Sequence, residues 1–254
     1  MRFTVVISAR NGMPYLQDCL KSVLEASAGL DVEVLYEDAV SSDGSATCAR
    51  LILGESRVNV EEDEGFGDAV NRAFRKSTGD VLSSLGADDM LAPQSLRHVE
   101  RAFASNPDAQ WAVGLYQIIG SDGTPTRHFH TNYKNFAIQH FSRLWLFAEN
   151  IVPHVSFFIR REFRAKIGDM LNEKETISND YDYFLRCVNV CPPLIIPEVL
   201  GIWRYHSTSQ SGSNMRRMSW DAWTACRKNT SNPFLISLNA LCSLRNALLF
   251  HLVG

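Results

Sequence analysis

A mostly parallel α/β fold with a helical C-terminal tail is what this sequence predicts, and three features predict it. Strand-like and helix-like segments alternate through the first half. Carboxylates gather where the second, third and fourth strands end. From residue 213 onward the pattern is helical. Alternation of this kind implies parallel βαβ units with right-handed crossovers. In such sheets ligands bind beyond the carboxyl ends of the strands.

The elements follow in order. Phe3–Ser8 reads as a short buried strand. Pro14 opens a helical pattern with Leu16, Leu20, Val23 and Leu24 on one face, since proline in a first helical turn forfeits no hydrogen bond. Val32–Asp38 is the second strand, and Asp43 or Ser45 can cap a helix carrying Ala49, Leu51 and Ile52. Val58–Val60 is the third strand. Asp68–Ser77 reads as a helix with Ala69, Ala73 and Phe74 inward and Gly79 past its end. Val81–Leu85 is the fourth strand, and Pro93 starts a helix that runs to about Ala104. Trp111–Ile119 is a strand, with Ser121-Asp122-Gly123-Thr124 as a hairpin-like turn. His128 and His130 then share one strand face, read as surface residues because no acid lies near them in sequence. Residues 131–153 fit neither period. His154–Arg160 looks like a strand leading into a short helix, Tyr181–Val190 like a helix, and Leu194–Tyr205 like a strand. The organisation expected is one α/β domain over 1–212, in two halves, 1–104 and 105–212, then a helical tail 213–254.

Composition narrows the function. The 254 residues carry a net charge of −3, with 45% hydrophobic and 21% charged residues. That suits a globular domain, excludes a disordered or fibrous chain, and gives no support to nucleic-acid binding. Six cysteines, at 19, 48, 187, 191, 226 and 242, are too widely spaced for a disulfide scaffold. Cys187 and Cys191 read as reduced core thiols. The apolar run at the N-terminus is too short for a signal peptide. No stretch reaches the ~18 apolar residues of a membrane span. The expected location is cytoplasmic. The tail from Pro233 to Val253, rich in Leu and Phe, is expected to pack on the domain or on a second subunit, or to rest on the inner face of a membrane.

The acidic strand ends are Glu37 and Asp38, then Glu61, Glu62 and Asp63, then Asp88 and Asp89. One cluster alone reads as solvated loop; three on one predicted edge favour a shared site. Adjacent carboxylates suit a hard divalent cation such as Mg²⁺ or Mn²⁺, which shares its coordination with substrate phosphates. Gly65-Phe66-Gly67 lacks the third glycine of a dinucleotide fingerprint and follows the wrong strand.

Several segments then match one family in one order. TVVISARNGMPYLQDCLKSVL resembles the first strand and helix of family 2 glycosyltransferases, and VEVLYEDAVSSDGS their second strand and Asp-rich turn. EDEGFGDAVNRAFRKSTGDVLSSLGADDM is similar to the Gly-x-x-Asp-Ala-x-Asn helix followed by a strand and a variant DXD motif. NDYDYFLR resembles the catalytic acidic segment, and PEVLGIWRYHSTSQS the closing strand and His loop. The resemblance spans residues 3–212.

It implies a Rossmann-like glycosyltransferase A-type fold, a nucleotide-sugar donor (a UDP-sugar favoured), a divalent metal and inversion at the anomeric carbon. Carried over by position, Asp38, with Glu37 beside it, contacts the base or ribose. Asp88 is the ribose-side member of the DXD variant, Asp89 the metal ligand, and Asp180 the general base. His206 reaches the metal or diphosphate when the C-terminal loop closes. Asp68 and Asn71, on one helical face, either approach the nucleotide or orient the neighbouring loop. His154 either touches substrate or packs. The chain departs from the family in its Glu37–Gly44 turn, one residue longer, and in Asn179, where the family has Glu before the catalytic Asp. Asp182 competes with Asp180 for the role of base. The Gln-x-x-Arg-Trp motif of processive members is absent, so single addition to a glycan or lipid-linked acceptor is implied, in surface-polysaccharide synthesis. The rivals are a sugar nucleotidyltransferase, weakened by the lack of a Gly-rich basic first loop, and a non-catalytic sugar-nucleotide-binding scaffold. Ser207–Asn214, small and polar, is expected to close over bound donor.

Overall fold

The computed structural model describes residues 1–171, 176–207 and 215–253. Its strands are β1 (Arg2–Ala9), β2 (Asp31–Asp38), β3 (Val58–Val60), β4 (Val81–Gly86), β5 (Met90–Leu91), β6 (Trp111–Ile119), β7 (Phe157–Arg160) and β8 (Leu194–Arg204). The helices are α1 (Leu16–Ala26), α2 (Ser45–Leu53), α3 (Phe66–Lys76), α4 (Ser95–Ser105), α5 (His128–Gln139), α6 (Arg143–Ala148), α7 (Arg161–Ile167), α8 (Asn179–Val190), α9 (Met215–Asn229) and α10 (Pro233–Val253).

One eight-stranded sheet runs β3-β2-β1-β4-β7-β6-β8-β5. The first four neighbours are parallel, β7 is antiparallel to both β4 and β6, and β8 runs parallel to β6. The chain steps from β1 outward to β2 and β3, then crosses back to place β4 on the other side of β1. That reversal opens a crevice between the loops after β1 and β4. β1 is buried along its length after Arg2, as expected for a strand covered on both faces. Register sets Ala9, Asp38 and Val60 in one row, with Gly86 beside Ser8. The acidic strand ends therefore share an edge.

Some sequence expectations shift. Pro14 lies in a turn ahead of α1, which buries Leu16, Cys19, Leu20, Val23 and Ala26 and leaves Leu24 exposed. Those positions recur every three or four residues, so Cys19 and Ala26 complete the stripe and Leu24 falls off its edge. On α2, Ala49 is buried while Leu51 and Ile52 face outward. The turn 121–124 is present, with Ile119 bridging Pro125. No second hairpin strand of any length follows: Arg127 takes a left-handed conformation and α5 begins, so His128 and His130 lie on a helix. Residues 131–153 hold most of α5 and all of α6.

The tail helices pack on the α/β domain. Asn239 of α10 is fully buried; its amide donates to the carbonyls of Phe147 (2.9 Å) and Ala148 (3.3 Å) and to the Tyr181 hydroxyl (3.0 Å). Tyr181 in turn donates to the Leu146 carbonyl at 2.8 Å. This one side chain ties α10 to the end of α6 and the start of α8. Asn239→Ala is expected to lower stability by about 2–3 kcal/mol, since it leaves buried acceptors unpaired. A lower urea midpoint at unchanged m-value is the check. Among the described residues no helix is long and apolar enough to cross a membrane. Trp220, Phe234, Leu241 and Leu244 on α9 and α10 are exposed.

Candidate active site

The loops after β1 and β2 are sewn together. The Asp43 carboxylate accepts from the Met13 amide (2.9 Å) and from the Ser45 amide (3.0 Å), and Ser45 Oγ accepts from the Gly12 amide (2.9 Å). Asn11 Oδ1 accepts from the Ser42 amide at 3.0 Å. Asp38 is buried, and its carboxylate accepts from the Tyr36 hydroxyl (3.0 Å) and the Ser41 amide (2.6 Å). Glu37, also buried, accepts from Asn59 at 2.7 Å. Asp38 thus shapes the turn, with one hydrogen bond accepted at each carboxylate oxygen. Within this turn exposed Val40 sits at φ 55, a conformation that strains a β-branched side chain.

The Gly-x-x-Asp-Ala-x-Asn segment works as a joint. Gly65, at φ 105, turns the chain into α3, and Asp68 accepts from the Glu64 amide at 3.2 Å. Gly67 lies so close to the Leu171 carbonyl that a Cβ would stand 2.2 Å from its oxygen. Asn71 is buried and grips the Met170 backbone in both directions, donating to its carbonyl (2.8 Å) and accepting from its amide (3.0 Å). Asn71 therefore pins the segment that leads toward α8 and has both ends of its amide engaged there. Arg72 gathers the preceding acidic loop, donating to the Glu62 carbonyl at 2.9 Å and lying 3.3 Å from Glu61.

Asp88 and Asp89 meet His206 because β5 follows them. β5 pairs antiparallel with β8, Met90 opposite Ile202, so the chain running back to Asp88 runs along β8 toward His206. The Arg204 amide donates to Asp89 Oδ1 at 3.0 Å, and His206 Nε2 lies 2.9 Å from Asp88 Oδ2. The buried Arg204 side chain donates to the Asp88 carbonyl (3.1 Å) and to Asp18 (3.0 Å), and covers the Tyr15 ring. Burial first, and the neighbouring Asp88 charge second, push the Asp89 carboxyl well above its usual range. A hard divalent cation fits this donor set: two adjacent carboxylates whose mutual repulsion it would relieve, with an imidazole beside them. Among the described residues no three His, Cys, Asp or Glu side chains form a self-sufficient metal cage. A metal held here would complete its shell with phosphate oxygens or water.

Asp180 stands half-buried in the first turn of α8. Its carboxylate accepts from the Tyr181 amide (2.6 Å) and, weakly, from Asn150 Nδ2 (3.5 Å). Burial raises its pKa to about 6 against these hydrogen bonds and the nearby Lys134 charge. Asp182 is buried and committed elsewhere, accepting from Arg186 Nε and from Asn229 Nδ2, each at 2.9 Å. It locks α8 to α9. His154 joins the halves: Nε2 lies 2.8 Å from Ser84 Oγ on β4, while its ring packs on Phe66 of α3 and Phe184 of α8. Burial holds His154 near a pKa of about 4, so it is neutral at pH 7.

Three side chains here escaped the sequence reading. Arg204 had a signal, a lone cation on an apolar strand beside His206. Lys134 and Asn150 had none, since they fall in the stretch without clear period. The closing loop expected at Ser207–Asn214 lies outside the described residues from Thr208 on.

Comparison with known proteins agrees with this geometry. Residues 4–168 match the family described as Glycosyl transferase family 2. A PGL/p-HBAD biosynthesis glycosyltransferase of Mycobacterium bovis is 30% identical over 189 residues, covering 73% of this chain and 69% of that protein. An uncharacterized glycosyltransferase of Nostoc is 29% identical over 128 residues, covering 49% of this chain and 39% of that protein. Among solved structures, S. aureus TarS 1-349 in complex with UDP-GlcNAc superposes with a TM-score of 0.69 at 13% identity, over 98% of this chain and 73% of that one. The mannosyltransferase PcManGT from Pyrobaculum calidifontis, in complex with GDP-Man and Mn²⁺, gives 0.67 at 16% identity, over 100% of this chain and 76% of that one. The sheet, its acidic edge and these matches agree: the fold is of the glycosyltransferase A type, and the chain belongs to glycosyl transferase family 2.

Proposed function

We propose that this protein is an inverting, metal-dependent glycosyltransferase that moves one sugar from a nucleotide-sugar donor to a hydroxyl of a glycan or lipid-linked acceptor. The observation that carries the reading is Asp180: a half-buried carboxylate with a pKa of about 6, at a helix start joined through His154 packing to the strand that presents Asp88 and Asp89. A pKa close to neutrality suits a general base. Asp180 takes the proton of the acceptor hydroxyl as that oxygen attacks the anomeric carbon from the face opposite the leaving diphosphate. One base suffices, unlike the two carboxylates of a glycosidase.

Asp89, with Asp88 and His206, would hold the cation, which when bound neutralises charge on the leaving diphosphate. Arg204 holds this corner, its amide on the Asp89 carboxylate and its guanidinium on the Asp88 backbone carbonyl. Asp38 and Glu37 border the nucleotide side, with Asp68 shaping the loop next to it. A UDP-sugar is the favoured donor and Mn²⁺ or Mg²⁺ the favoured ion; the UDP-GlcNAc and GDP-Man/Mn²⁺ complexes of the two fold neighbours support both classes. Exposed Trp220, Phe234, Leu241 and Leu244 support a lipid-linked acceptor met at a membrane surface, in surface-polysaccharide synthesis on the cytoplasmic side.

The test is a panel of nucleotide sugars screened by thermal shift with and without Mn²⁺. One donor should raise the melting temperature only in the presence of metal. NMR of the product made from that donor should show inverted anomeric configuration. Retention would overturn the single-base mechanism.

A further inference from the structure

The corner behind Asp180 holds a charge cluster that the proposed chemistry does not use. Lys134 of α5 is largely buried; its ammonium donates to the Asn150 carbonyl and lies 3.9 Å from Glu149. Glu149 is buried and accepts from the Tyr133 hydroxyl, from Trp145 Nε1 (3.4 Å) and from Arg245 of α10 (2.7 Å). Asn150, whose carbonyl clamps Lys134, also points its Nδ2 at Asp180. A chain of contacts thus runs from the C-terminal helix through Arg245, Glu149, Lys134 and Asn150 to Asp180.

A buried lysine beside a buried glutamate is costly unless the geometry is held. Here Arg245 supplies the second cation, so Lys134, Glu149, Arg245 and an ionised Asp180 balance in charge. Asn150 adds a second clue, because its Oδ1 is buried without a hydrogen-bond partner among the described residues. An amide carries a donor and an acceptor. In the pose seen, the donor faces Asp180, which suits the ionised carboxylate. Turned over, the orphan oxygen would accept from the protonated carboxyl after the acceptor's proton has arrived.

We propose that Lys134 and Asn150 are positioning residues for Asp180, and that the C-terminal helix holds them in place through Arg245 and Glu149. This rests on the reading of Asp180 as the base. The tail is then part of the catalytic apparatus rather than only a packed appendage. The Lys134 charge favours the ionised, proton-accepting form of Asp180, and Asn150 fixes where its oxygens lie. The charged and titratable groups facing this corner are His130, Tyr133 and Lys134 on α5, Glu149 after α6, Tyr181 on α8, and Arg245 and Cys242 on α10.

The experiment measures kcat, nucleotide affinity and the pH profile of kcat in the full chain. Lys134→Met is expected to lower kcat by roughly 10-fold or more, change nucleotide affinity by less than about twofold, and move the acid limb to higher pH. Lys134→Arg should recover the limb. Arg245 is 45% exposed at its side chain, so Arg245→Ala is compatible with folding. That variant should move the limb in the same direction, with a fall in kcat of about threefold, and Arg245→Lys should restore it. Asp180→Asn run alongside separates the two ideas. If it is inactive while Lys134→Met and Arg245→Ala keep wild-type kcat and limb, the positioning role falls and the base stands. If it is fully active, the base assignment falls and takes the inference with it. Should Lys134→Met fail to fold, an unmoved limb in Arg245→Ala is by itself enough to overturn the proposal.

Discussion

Asp180→Asn is expected to lower kcat by about 10²–10⁴, the range for a positioned acid–base group, and to leave donor affinity nearly unchanged. The carboxamide keeps the acceptor for the Tyr181 amide but cannot take a proton at neutral pH. In the parent enzyme, turnover should fall as pH drops through about 6, because the base is then protonated. Stability should move the other way. A carboxyl whose folded-state pKa is raised favours its protonated form, so its ionised form strains the fold. That penalty is absent below the unfolded value and fully present above the folded one. Asp180→Asn removes it, so the variant should be more stable than the parent at pH 7, by roughly 2–3 kcal/mol. The advantage should vanish as pH falls from about 6 toward the usual carboxylate range. Asp182→Asn should show the opposite pairing: weakened stability through Arg186 and Asn229, with kcat held. Paired kinetics and chemical denaturation across pH give the check. A large loss of kcat in Asp182→Asn, with none in Asp180→Asn, would reverse the assignment.

The strands of the first half were legible because apolar runs bounded by Gly, Pro and Asp carry both their length and their ends. β1, β2, β3 and β4 lie within one residue or so of their sequence bounds. Helix faces were less legible where alanine and cysteine did the packing: Leu51 looked like core and is exposed, while Ala49 is buried. The two-residue β5 left no periodic signal, yet it steers Asp88 and Asp89 onto the end of β8. α5 and α6 were illegible for a different reason. Their aromatic, histidine and asparagine residues have weak helical preference, and docking against β6 and α10 decides their form. The sequence placed acids on one edge, but it could not say which oxygens were already spent. Asp38, Asn71 and Asp182 use theirs on backbone and neighbouring side chains; Asp180 and Asp89 also accept a backbone amide each, but stand in surroundings that raise their pKa. That distinction is three-dimensional, because it depends on partners up to 115 residues away in the chain.

Asp89→Asn is expected to abolish metal-stimulated turnover, a loss of roughly 10²-fold or more, without loss of folding. The carboxamide oxygen still accepts from the Arg204 amide, so the β5–β8 corner keeps its hydrogen bond. What disappears is the charge. Ionised Asp89 is unfavourable in the ligand-free fold, since burial and Asp88 both raise its pKa. By the same sign argument, the variant should melt higher than the parent at neutral pH, and the gap should close as pH falls toward the usual carboxylate range. A cation at this site reverses the balance in the parent alone, because it supplies the countercharge that the paired carboxylates lack. Mn²⁺ with nucleotide should therefore raise the parent's melting temperature and leave Asp89→Asn unmoved. His206→Ala should show a smaller deficit, since it removes a neighbour of Asp88 and leaves both carboxylates in place. An Asp89→Asn enzyme with undiminished metal-stimulated turnover would move the cation away from this corner, and with it the reason for two adjacent acids at the end of β4.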